Sequence, residues 1–202
     1  MAMELNLPNI WQFTSAFSPF IIGSYLVLAS LFNQDIKGFI YLLLLLFVTI
    51  ATFLMMTLIN EKIDENNPVS EICNLFKIPL VGDYKNPSYT TTILAFTIAY
   101  LILPMHYSNQ TNYVVITTLF SFLILDGLTK IKNGCTSGTG VVFGTLYGFT
   151  LGWLMVMLFY STDSTNFLFF SEVLSNRAIC SMPAKTLFKC KVFKDGMPIG
   201  EI

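Results

Sequence analysis

The sequence predicts an all-α fold: a polytopic transmembrane bundle of about five helices, residues 1–160, followed by a small extramembrane tail, residues 161–202. Three observations carry this. Hydrophobic residues make up 54% of the chain and charged residues only 11%, with a mean hydropathy of +0.66, whereas a water-soluble domain carries about 25% charged residues. The apolar residues gather in five runs, near 12–32, 38–59, 90–107, 113–128 and 140–160, and a span takes roughly 20 helical residues. After Tyr160 the character changes, because residues 161–202 hold five of the eleven Lys and Arg. The net charge of -1 offers no footprint for nucleic acid.

The first run contains Pro19 and starts behind polar Gln12, Thr14 and Ser15. Residues 1–12 carry no Lys or Arg, and no small-residue cleavage site follows a short apolar run, so no cleaved signal peptide is expected. The second run, "GFIYLLLLLFVTIATFLMMTLI", has no charge at all. Residues 60–89 form the one long loop between spans. It opens with the acidic "EKIDENN", after which Pro68 and the spacing of Val69, Ile72, Leu75 and Phe76 predict a short amphipathic helix on the membrane surface. The third and fourth runs are short and lean on neighbouring polar turns. In the tail, "TLFKCKVFKDGMPIGEI" alternates Leu187, Cys190 and Val192 with lysines around the turn pair Asp195-Gly196, which predicts one or two short strands.

The fifth run has a glycine at every fourth position: Gly140, Gly144, Gly148 and Gly152. In water a helical glycine costs about 1 kcal/mol against alanine. In lipid, helices gain no hydrophobic drive toward one another, and small residues that let backbones approach take over. The four glycines fall on one stripe, with Val141, Phe143, Leu146 and Trp153 directed elsewhere, so the stripe is a packing seam.

The stretch "LTKIKNGCTSGTGVVFGTLYGFTLGW" resembles the third motif and last helix of the type 2 phosphatidic acid phosphatase (lipid phosphate phosphatase) superfamily, S-R-x5-H-x3-D followed by a helix rich in small residues. With the glycine helices in register, Thr129 stands at the Ser, Lys130 at the Arg, Thr136 at the His and Gly140 at the Asp. Upstream, "NPSYTTTILAFTIAYLI" resembles the second motif, P-S-G-H: Pro87 and Ser88 match, Tyr89 stands at the Gly and Thr90 at the His. Of the first motif, K-x6-R-P, only Lys77 is in place, with Tyr84 and Lys85 at the Arg and Pro. The resemblance covers roughly residues 76–160, with one helix fewer in front than the family's usual six.

As the resemblance implies, the family reaction uses one His as nucleophile on phosphorus and another as general acid, with an Asp orienting the first and Lys and Arg holding phosphate oxygens. This chain has one histidine, His106. It lies sixteen residues beyond Thr90 along the third span, about 24 Å at 1.5 Å per residue, so it belongs at the opposite membrane face, as an interfacial anchor beside Tyr107. No catalytic residue is therefore expected. Cys135, beside Lys130 and Lys132, has the surroundings of a low-pKa thiol but no base on its side. No set of four converging ligands for a metal is evident, and no cofactor is expected. Asp126, one turn before Lys130, reads as a structural i,i+4 pair.

What remains is cationic and hydroxyl-rich. Lys77, Lys85, Ser88, Thr90, Lys130 and Thr136 are the candidate ligands for an anion or a lipid headgroup. The expected function is that of an integral membrane protein with a catalytically inactive lipid-phosphatase-like bundle, a structural, lipid-binding or partner-binding component. Its partners would be membrane lipids and other membrane or structural proteins. The alternatives are a small channel or transporter subunit and an atypical lipid phosphatase. Abundant Phe, Ile, Asn, Thr and Lys suit an AT-rich genome, such as that of a large DNA virus with an internal membrane. Lys62, Lys77, Lys85, Lys130 and Lys132 near the spans place the motif loops in the cytoplasm by the positive-inside rule.

Overall fold

An apolar run in hydrocarbon can satisfy its peptide groups only from within, so each run is drawn into a helix. The computed structural model describes residues 7–61, 73, 84–109, 111–169, 191–194 and 197–201. Its helices are α1 (Leu7–Phe32), α2 (Lys37–Ile59), α3 (Tyr89–Tyr107), α4 (Tyr113–Lys132) and α5 (Gly138–Ser161). Helices α2 to α5 are long and apolar enough to cross a membrane, which makes the chain a multi-pass integral membrane protein. Helix α1 is 26 residues long and includes the apolar stretch Phe17–Phe32. Its polar outer residues are helical, but Ser15 and Ser18 turn inward, with the Ser18 hydroxyl donating to the Ser15 carbonyl at 2.8 Å.

The helix ends follow local chemistry. The Asn112 side chain accepts from the Val114 and Val115 amides at 3.1 and 3.4 Å and starts α4, while Ser137 accepts from the Gly140 amide at 3.0 Å and starts α5. Helix α4 runs past the predicted end at 128 and takes in Thr129 and Lys130, which the sequence placed in a loop. Lys130 and Lys132 in its last turn oppose the negative end of the helix dipole and favour that extension.

Helix α3 is the centre of the bundle. It is the least apolar of the four spans, with a mean hydropathy of 1.3, and 13 of its 19 residues are buried. Protein, not lipid, is its solvent, which is why the threonines Thr91, Thr92 and Thr97 are tolerated there. Tyr41 of α2 reaches it, its hydroxyl 2.9 Å from that of Thr97. Phe96, Tyr100 and Tyr41 stack above and beside one another with ring centroids 5.6–6.0 Å apart.

The most extensive contact in the fold is between α3 and α5, and the glycine stripe makes it. A Cβ at Gly144 would lie 2.9 Å from the Ser88 carbonyl oxygen, and one at Gly152 would lie 2.6 Å from Cβ of Ala99. A Cβ at Gly148 would strike the Thr92 carbonyl, and one at Gly140 the Asn86 amide. All four glycines are buried, while Val142, Leu146 and Trp153 face outward.

In the tail, β1 (Lys191–Lys194) and β2 (Met197–Glu201) pair antiparallel, with Lys191 opposite Glu201 and Lys194 opposite Met197. The two strands flank Asp195-Gly196, as the alternation predicted. The amphipathic helix expected around 68–76 lies outside the described residues.

Replacing Gly148 with Leu is expected to abolish monodisperse behaviour in detergent, because the nearest obstacle is backbone. Overpacking alone costs about 1–3 kcal/mol, and the lost close approach adds to it. Size-exclusion chromatography of Gly148→Leu beside the parent chain checks this; a symmetric, parent-like peak would refute the seam.

Candidate functional site

At one bundle end, the segment before α3, the last turn of α4 and the start of α5 are stitched together. The Ser88 amide donates to the Gly140 carbonyl at 3.1 Å, and the Lys85 amide to the Glu61 carbonyl at 2.8 Å. Thr136 donates its hydroxyl to the Lys85 carbonyl at 2.6 Å. Ser137 donates to the Asn86 side-chain oxygen at 2.8 Å, and the Asn86 amide nitrogen donates to the Glu61 carboxylate. A Cys73–Cys135 disulfide, Cα to Cα 5.4 Å across 62 positions, ties the long loop to the α4–α5 turn. Cys135 is therefore bonded and not a free thiol.

Beneath this stitching lies a buried carboxylate. Asp126 has no exposed surface. The Thr90 hydroxyl lies 3.1 and 3.0 Å from its two oxygens, and Thr91 donates to one of them at 2.9 Å. Lys130, one turn on, pairs with it at 3.7 Å. The Lys130 ammonium also donates to the Thr90 hydroxyl and to Ser88 at 3.4 Å. A hydroxyl has one proton. Thr91 gives its proton to the carboxylate, so Ser88, 2.7 Å from Thr91, must be the donor in that contact. The result is one anion, one cation and three hydroxyls whose hydrogen bonds close on one another.

The candidate residues can now be placed. Ser88, Thr90 and Lys130 meet in the Asp126 cluster, and Thr136 sits one layer above on the Lys85 backbone. Lys85 joins through its backbone, not its ammonium. Lys132 is exposed and Lys77 lies outside the described residues. Gly140 closes the site because its missing side chain admits the Asn86 amide. His106 is exposed beside Tyr107, ring centroids 6.2 Å apart, in the last turn of α3, at the far end of that helix from Thr90.

Asp126 is more than the expected i,i+4 partner, because two threonines of α3 hold it as well. Its position in an apolar run was a signal, since an ionisable group in a span needs a partner. The threonines that supply one stand 35 and 36 positions away. Among the described residues, no three His, Cys, Asp or Glu side chains converge to hold a metal. Fold and site define an integral membrane helical bundle with a charge-balanced polar cluster buried at one end. No protein-family model, curated protein or solved structure matches the chain.

Asp126→Ala would leave the Lys130 ammonium and two hydroxyls without their acceptor. Breaking a buried pair from one side costs about 3–5 kcal/mol, so the thermal midpoint in detergent should fall sharply. Adding Lys130→Met to that variant should recover part of the loss, because the uncompensated charge goes too. Additive losses would show that the two residues do not act as a pair.

Proposed function

We propose that the chain is a non-catalytic integral membrane component, built like a lipid phosphate phosphatase bundle but without phosphoryl transfer. One observation carries this reading: the Asp126 carboxylate takes the donors of Thr90, Thr91 and Lys130, the groups a phosphate would need. In the resemblance Thr90 and Thr136 stand at the family's two histidine positions. The Thr90 hydroxyl is spent on Asp126, a carboxylate already held by Thr91 and Lys130, and Thr136 is spent on the Lys85 carbonyl. The single histidine is at the other end of α3. The cluster then serves as a packing node that fixes α3 against α4. Contact with anionic headgroups falls to the rim lysines, Lys85 and Lys132. The large exposed apolar faces of α2 and α4, Leu46, Leu54, Val114 and Ile124 among them, are available to lipid or to partner spans. On composition alone, the host membrane in this reading is the internal membrane of a large DNA virus.

The disulfide bears on orientation. Such bonds persist in oxidising compartments, so in this reading the motif end faces away from a reducing cytosol. Lysine counts do not oppose that strongly. The motif side carries Lys62, Lys77, Lys85, Lys130 and Lys132, and the other side Lys37, Arg177, Lys185, Lys189, Lys191 and Lys194, five against six.

Purified protein in phosphatidic acid vesicles should release no phosphate above the lipid blank, and Thr90→Ala or Thr136→Ala should not change that. Release that disappears with either substitution would defeat the reading. For orientation, protease added to the cytosolic side of sealed vesicles should remove residues beyond Ser161 and leave the segment 60–88 intact. Cleavage of that segment instead would restore the lysine-based orientation.

A further inference from the structure

Gly23 is unlike the seam glycines. A Cβ there would meet nothing within 4 Å, whereas at Gly38, Gly127 and the α5 stripe it would meet a neighbour within 3.0 Å. Yet Gly23 is buried, in the middle of α1, where glycine carries a helix cost and no close helix approach explains it. Its missing side chain opens onto a cavity of about 650 Å³ between α1, α2 and α3, in the range of small-ligand pockets, about 300–1,000 Å³. The cavity runs along α1 from Pro19 to Leu28, about 13 Å at 1.5 Å per residue.

Its walls are apolar but for Ser24 on α1: Gly23 and Val27 of α1, Leu42 and Leu45 of α2, Ile93 of α3. Phe20, Leu28 and Leu46 at its margin are 51–59% exposed, so the cavity opens sideways onto the bilayer hydrocarbon. At its other end the lining changes to Thr49, Tyr89 and Thr90. A long slot, apolar along its length except at Ser24 and with its polar groups gathered at one end, matches an amphiphile drawn from the membrane.

The polar end also selects the headgroup. Thr49 gives its proton to the Leu45 carbonyl at 2.8 Å, so in the 3.3 Å contact with Tyr89 the tyrosine is the donor. The Thr90 proton goes to Asp126. The Tyr89 oxygen therefore offers lone pairs and no free proton, Thr90, which also accepts from Lys130, keeps one lone pair, and the Lys130 charge is matched by Asp126. A phosphate would set anionic oxygens against acceptors there. An O–H group would find partners. We propose that the α1–α2–α3 groove binds an uncharged, hydroxyl-headed bilayer lipid of the diacylglycerol class, one acyl chain over Gly23 and its hydroxyl at Tyr89 and Thr90.

The test uses the full chain in phosphatidylcholine vesicles with a trace of diacylglycerol carrying a diazirine in one acyl chain. After irradiation, label should map to the α1 and α2 groove walls. Excess diacylglycerol should displace it and equal phosphatidic acid should not. Gly23→Phe should fill the slot and lower labelling at least several-fold. Tyr89→Phe removes one acceptor and should weaken labelling several-fold with an unchanged melting temperature, and it carries the decision should Gly23→Phe fail to fold. Labelling that is equal in the parent and both variants, spread evenly over the outer faces of α2 to α5, or displaced as well by phosphatidic acid, overturns the proposal.

Discussion

A carboxylate inside a membrane protein must be answered from within the protein, and the answer to Asp126 organises this bundle. Its ionised form is tolerable only with donors at hand. Those donors come from two places: Lys130, a turn along the same helix, and Thr90 and Thr91 at the start of α3. The pairing therefore sets where α3 begins relative to the end of α4. Once that level is set, the Ser88 amide falls opposite the Gly140 carbonyl, and the glycine stripe of α5 is brought into register with the backbone of α3. Electrostatics fixes the height of one helix against another, and steric room then fixes how closely the third can come.

This division of labour explains a contrast between the two ends of the polar chemistry. In the Asp126 cluster every donor has an acceptor inside the protein, so the cluster is closed. Along the α1–α2–α3 groove the opposite holds, for space is left open beside a buried glycine and the lining oxygens point lone pairs toward it. The two regions share Thr90, which gives its proton and one lone pair to the first and lines the second. A cation-lined anion site and an apolar slot for an uncharged head are alternatives at such a junction, and the position of one carboxylate decides between them.

Much of the helical architecture was legible because the bilayer leaves the backbone so little choice. The uncharged run that became α2 needed nothing beyond its length, and the glycines at every fourth position of α5 implied a seam that α3 fills. The hairpin around Asp195-Gly196 followed from alternation and turn chemistry. Misreadings came where a residue's role depends on something distant. Thr129 and Lys130 looked like loop because polarity ended the apolar run, yet a cationic last turn continues α4. Asp126 showed its near partner and hid those on α3. Cys73 and Cys135, 62 positions apart, carried no local sign of a bond. Gly23 was the least legible of all. Its meaning lies in the emptiness above it, and a sequence spells only what is present.

The pairing of α3 with α5, across the whole of α4, also orders the making of the protein. A chain enters the membrane from its N-terminus, so the least apolar span is inserted before its principal partner exists. Helix α3 meets lipid on a face that is later entirely covered. The threonines make that interval tolerable: Thr92 and Thr97 give their hydroxyl protons to carbonyls of their own helix, at 2.9 and 2.8 Å, and need no neighbour to be satisfied. Thr90 and Thr91 are different, because their acceptor arrives only with α4. The bundle thus matures by successive capture, first at the carboxylate and then along the glycines. Helix α5, synthesised after both α3 and α4, is the one that removes the central helix from lipid.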